Sequence, residues 1–129
     1  MIPLVTTLKA LADRNRLRAV LAIDAAGELC ACQVTELLGV RGATASRHLG
    51  QLVRAGVVTS RQDGRWIHFR LSPAFARSEP LAWLRRAARR DRDLAADRHA
   101  LAAILAEDPV DVCRRQRGDT CCPTPKGRP

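Results

Sequence analysis

The apolar spacing in this chain changes period once, and that change limits the folds open to it. Up to Gly56 the hydrophobic residues recur at helical intervals; over 57–71 they alternate as strands do. Leu4, Leu8, Leu11 and Ala12 share one face of a first helix. Asp13 caps a second, where Leu17, Val20 and Leu21 repeat until Gly27 ends it. Val34, Leu37 and Leu38 mark a short third helix stopped by Gly39. After the turn Val40-Arg41-Gly42, a fourth helix carries Ala45, Leu49, Leu52 and Val53 inward and closes at Gly56. Residues 57–62 and 65–71 read as strands, with Asp63-Gly64 as a two-residue hairpin turn. Ile67, Phe69 and Leu71 face one side of the second strand, Trp66, His68 and Arg70 the other, and Pro73 ends it. Residues 79–107 read as one long helix rich in Ala, Leu and Arg.

Four helices, a hairpin and a long helix, in that order, predict a winged helix-turn-helix: mainly α, with a small β-hairpin wing. The chain is 47% hydrophobic but only 3% aromatic, so its core must be built from Leu, Val, Ile and Ala. A small core of that kind is often completed by dimerisation, and the terminal helices are the expected homodimer contact. The predicted domain spans 1–107. Residues 108–129, polar and carrying Pro123, Pro125 and Pro129, read as a flexible Cys-containing tail.

A net charge of +9, from 22 basic and 13 acidic residues, favours a polyanionic partner. The competing reading is a solvated arginine-rich surface, and the helix-turn-helix weighs against it. In that motif the second helix enters the major groove of double-stranded DNA, and its first turns here carry Thr44, Ser46, Arg47 and His48. Hydroxyls contact bases or phosphates, and Arg47 can grip a guanine edge or a phosphate. The hairpin adds Arg61 and Arg65, suited to backbone or minor groove. No run approaches the roughly 18 apolar residues of a membrane span, and no secretory signal is evident, so the expected location is cytoplasmic, with no membrane partner.

Five cysteines in a reducing compartment are expected to be ligands or redox thiols rather than structural disulfides. Cys30-Ala31-Cys32 lies just ahead of the third helix. Soft thiolates select thiophilic metals and metalloids, and a helix N-terminus favours the thiolate. Residues two apart diverge on a regular helix, so shared ligation demands an irregular backbone there. Because that helix packs on the DNA-reading one, ion capture would move Arg47 and His48 relative to the groove. Two thiolates are few, and Cys113, Cys121 and Cys122 are further sources of sulfur, from the same chain or a partner subunit. The candidate ligand set is Cys30, Cys32, Cys121 and Cys122. The competing structural reading makes the pair small buried hydrophobes.

With these motifs together, the chain resembles the ArsR/SmtB family of metal-responsive repressors. The likeness runs through Glu28-Leu29-Cys30-Ala31-Cys32, Ser46-Arg47-His48-Leu49-Gly50-Gln51-Leu52, Ala55-Gly56-Val57-Val58 and the segment from Asp63 to Ser72. The resemblance implies a homodimeric repressor of a resistance operon that leaves its operator on binding arsenite, antimonite or another metal, with Cys30 and Cys32 as first ligands. Thr35 stands where arsenite sensors of this type often have a third cysteine, so the site is two-coordinate, suiting a methylated arsenical, or borrows a tail thiol. Cadmium and lead sensors add cysteines from an N-terminal arm that has none here. Asp97-Arg98-His99 begins the zinc pattern of the family, but Val110 and Cys113 fall where its second half belongs, and Arg41 and Gly42 replace a frequent Ser and Gln. The inducer expected is therefore trivalent arsenic or antimony, with cadmium or lead as the alternative. A thiol-redox repressor, switched by cysteine oxidation, is a second reading. A thiol reductase is a distant third, since there is no Cys-x-x-Cys and no nucleotide-binding glycine motif.

Overall fold

Asp13 shows how locally the chain is instructed. Its backbone is extended, and its carboxylate accepts the Arg16 N–H at 3.0 Å, which starts a helix at the next residue. The computed structural model describes residues 3–117. Helices α1 (Leu4–Leu11) and α2 (Arg14–Ala26) are followed by a two-residue strand β1 (Leu29–Cys30), then α3 (Ala31–Leu38) and α4 (Gly42–Arg54). The hairpin is β2 (Val58–Asp63) and β3 (Trp66–Leu71). A short α5 (Pro73–Ala76), then α6 (Glu79–Ala88), α7 (Arg92–Ala106) and α8 (Pro109–Arg117) complete the chain.

The winged helix-turn-helix is as expected, with four differences of detail. The wing is a three-stranded antiparallel sheet in the order β1-β3-β2, not a bare hairpin. Its turn residues are Gly64-Arg65, because Asp63 pairs with Trp66. Gly64 has a φ of 64°, and among the described residues only glycines take positive φ, which fits a turn with glycine at its first central position.

The long helix expected over 79–107 is broken. Asp91 takes an extended conformation and accepts the N–H groups of Asp93 (3.0 Å) and Leu94 (3.2 Å), so it caps a new helix rather than continuing the old one. The tail expected from residue 108 is helical through 117: Pro109 opens α8, and Asp108 accepts the Val110 N–H at 2.9 Å. Residues 118–129, with Cys121 and Cys122, lie outside the described residues.

Ala19, Val20 and Ile23 of α2, Val34 of α3, Leu49 and Leu52 of α4, Val57, Phe75 and Leu81 form an almost wholly buried, mainly aliphatic core. Phe69 and Leu29 enter it from the sheet. On α1 the buried side chains are Thr7, Ala10 and Leu11. Leu4 (62% exposed), Val5 (64%) and Leu8 (50%) face outward, as does Trp83 on α6 (59%). Among the described residues, no helix is long and apolar enough to cross a membrane.

Candidate metal centre and nucleic-acid interface

Register in the small sheet decides where the first thiol points. Directly opposed residues of an antiparallel pair share a face. Leu29 pairs with Phe69 and both are buried in the main core, so Cys30, paired with His68, lies on the opposite face. Trp66, two residues from His68, shares that face. Cys30 is also the N-cap of α3, with φ −84° and ψ 163°. Its N–H donates to Gln33 Oε1 at 2.9 Å, and the Gln33 backbone N–H turns back toward the Cys30 side chain, forming a capping box. Cys32 is already helical. The pair therefore straddles the strand-to-helix junction, the irregular backbone that shared ligation requires.

Cys30 (2% exposed) and Cys32 (4%) are buried in one small cluster with Trp66, Val112 and Cys113, separate from the aliphatic core. The last two come from α8, which docks on α3. Gln116 Nε2 donates to the Cys32 carbonyl at 2.8 Å and to Glu36 Oε1 at 3.1 Å, and Arg115 pairs with Glu36 at 3.1 Å and with Glu107 at 2.7 Å. Cys113 is fully buried and is disulfide-bonded in this structure. Thr35 is buried, and its hydroxyl donates to the Ala31 carbonyl at 2.8 Å within its own helix. Among the described residues, no three His, Cys, Asp or Glu side chains already stand as a metal-holding group.

The zinc-like Asp97 is engaged otherwise. Arg18 grips it with Nε at 2.8 Å and a second nitrogen at 3.0 Å, and also donates to the Leu37 carbonyl at the C-terminal end of α3. One guanidinium thus ties α2, α3 and α7 together.

On the candidate DNA-reading side, α4 exposes Ser46 and Arg47 in its first turns, with Thr44 half-buried beside them. Arg65 is exposed at the wing tip. Two other candidate contacts, His48 and Arg61, also have partners within the chain. The His48 side chain is only 13% exposed, and its Nδ1 stands 3.9 Å from Asp13 Oδ2, facing the start of α2. Arg61 sits mid-strand opposite His68, and its guanidinium donates to Glu28 Oε1 at 2.9 Å. That bond holds the Glu28 carboxyl below the usual carboxylate range. Neither contact was visible as spacing, because each joins residues more than 30 apart in the chain. The Gln116 clamp on Cys32, across 84 residues, was missed for the same reason.

Comparison with known proteins agrees with this geometry. Residues 13–60, the span from the cap of α2 into the wing, match the family described as bacterial regulatory protein, arsR family. The arsenic resistance transcriptional regulator ArsR1 of Pseudomonas putida is 45% identical over 65 residues, which are 50% of this chain and 51% of that one. The chain spans about half the length of the curated relatives it matches. Among solved structures, the transcriptional repressor BigR from Xylella fastidiosa is 30% identical with a TM-score of 0.50, over 57% of this chain and 74% of that one. The homodimeric winged helix-turn-helix DNA-binding domain of a possible ArsR-family transcriptional regulator from Mycobacterium bovis is 25% identical with a TM-score of 0.58, over 67% and 80%. The capped helix pair and the thiol pair at the mouth of α3 thus lie within the matched segment, and the chain belongs to the ArsR family of bacterial regulatory proteins.

Proposed function

We propose that this protein is a transcriptional repressor that holds operator DNA as a homodimer and releases it when a thiophilic ion, trivalent arsenic or antimony, binds Cys30 and Cys32. One observation carries the reading: both thiols are buried together at the N-terminus of α3, the first helix of the helix-turn-helix pair whose second helix exposes Ser46 and Arg47. Cys30 caps α3. A sulfur that ligates an ion gives up the geometry that serves the cap, so capture disturbs the start of α3 and, through its packing on α4, the placing of Arg47. The ion therefore favours the DNA-free arrangement.

Thr44, Ser46, Arg47 and Arg65 are the DNA contacts of this reading. His48 supports α4 from within against Asp13, and Arg61 adds positive charge to the wing flank in partnership with Glu28. The exposed apolar residues Leu4, Val5 and Leu8 on α1, with Trp83 on α6, support pairing with a second copy. The homodimeric relative agrees with it.

The test is operator binding by reduced protein, followed by fluorescence anisotropy. Arsenite is expected to release the DNA; Cys30→Ser is expected to bind DNA normally and to ignore arsenite. Release by cadmium or lead instead of arsenite would reassign the inducer, and release by peroxide under conditions where no ion acts would favour the thiol-redox reading. A Cys30→Ser variant that still responds normally to arsenite overturns the site.

A further inference from the structure

Building on the arsenical-sensor reading above, we propose that Cys113 of the same chain completes a three-thiolate inducer site with Cys30 and Cys32. Three observations converge. The three sulfur-bearing residues share one buried cluster, at 2%, 4% and 0% exposure, closed by Trp66 and Val112. Gln116, three residues on from Cys113 along α8, donates to the carbonyl of Cys32 itself, so the element carrying the third sulfur is fastened to the backbone of the second. Thr35, the neighbouring position on α3, spends its hydroxyl inside its own helix and offers no ligand.

Burial of three sulfurs away from water beside Trp66 suits a soft, low-charge centre and excludes hard oxygen-seeking cations. The Cys113 sulfur enters only once its disulfide is reduced. Two small cellular thiols supply the two electrons and two protons and leave as their own disulfide, and Cys113 and the cysteine bonded to it are both left as thiols. Arsenous acid then exchanges its three hydroxyls for three thiols, forming three As–S bonds and releasing three waters. Because Cys113 rides on α8 and Cys30 caps α3, the closed site ties the docking of α8 to the start of the helix-turn-helix.

The test counts sulfurs without DNA present. Protein reduced with a phosphine is loaded with arsenite and examined by X-ray absorption, with binding measured in parallel for arsenite and for phenylarsine oxide, which has only two exchangeable positions. The wild-type chain and the Cys121→Ser/Cys122→Ser variant should both show three As–S bonds. Cys113→Ser and Cys113→Ala should show two, bind arsenite at least about tenfold more weakly, as befits a lost ligand, and bind phenylarsine oxide as wild type does. Undiminished phenylarsine oxide binding also reports that the Cys113 variants keep their fold around the pair. Three sulfurs in the Cys113 variants, or loss of the third in the Cys121/Cys122 variant, overturns the proposal. If instead the count is as expected but neither arsenical loosens the operator, it is the sensor reading that fails.

Discussion

Replacing Arg18 by methionine keeps an unbranched stem in place and removes only the guanidinium. In the native chain that group makes hydrogen bonds to Asp97 at 2.8 and 3.0 Å, to Asn15 Oδ1 at 3.1 Å and to the Leu37 carbonyl at 3.0 Å. The Arg18 and Asp97 side chains are 16% and 18% exposed, between a surface pair and a buried one. Exposed pairs contribute roughly 0.2–1 kcal/mol, while breaking a buried pair costs about 3–5 kcal/mol. The intermediate burial and paired hydrogen bonds place Arg18→Met at about 2 kcal/mol of lost stability. With a urea slope of roughly 1–3 kcal/mol/M, that is a midpoint lower by about 1 M, read at fixed protomer concentration because dimer formation adds to stability. Asp97→Asn in the Arg18→Met background should cost less than in the wild type, since a neutral amide no longer requires a cation. A loss below about 0.5 kcal/mol, or strict additivity of the two changes, would refute the view that one guanidinium binds α2, α3 and α7 into a unit.

Two further outcomes follow from the same contacts. Asp13→Ala should cost about 1 kcal/mol at neutral pH as a lost helix cap. The Asp13 carboxyl is held below its ordinary value of 3.8, chiefly by the Arg16 N–H it accepts, so its stabilisation is full above that value and fades as pH falls through the lower folded value. Urea midpoints of wild type and variant should therefore converge in acid; a gap that persists there contradicts the cap. Glu28→Gln should release Arg61 from its partner, raising affinity for duplex DNA at low salt and steepening the salt dependence by up to about 0.9 in log–log slope, the share of one phosphate contact. Unchanged or weaker binding would remove Arg61 from the DNA-facing surface.

Much of the fold was legible because its instructions are local. Asp13, Gly27, Gly39 and Gly56 punctuate the helices as their chemistry demands, and the alternation after Val57 announces the wing. What escaped was either very short or tertiary. A two-residue strand at Leu29–Cys30 has no period to detect and exists because β3 offers it an edge. Asp91 sat in a run of alternating charges and read as a solvated helix face, although an Asp ahead of Arg-Asp-Leu is also a cap. Helix α8 has little apolar content beyond Val110, Val112 and Cys113, so composition pointed to a tail; its order comes from docking on α3. The thiol pair was found by spacing alone. That Cys113 is buried beside the pair could come only from seeing which face of α8 is covered.

Ion capture at α3 and the grip on DNA, as proposed, weaken one another, and linkage makes that coupling measurable from either side. Arsenite affinity of the reduced dimer, determined with and without saturating operator, should be weaker on the operator by the same factor by which arsenite weakens operator binding, roughly 5–150-fold for couplings of this kind. Equal arsenite affinity in the two states, with Cys30 and Cys32 both ligated, would contradict the account.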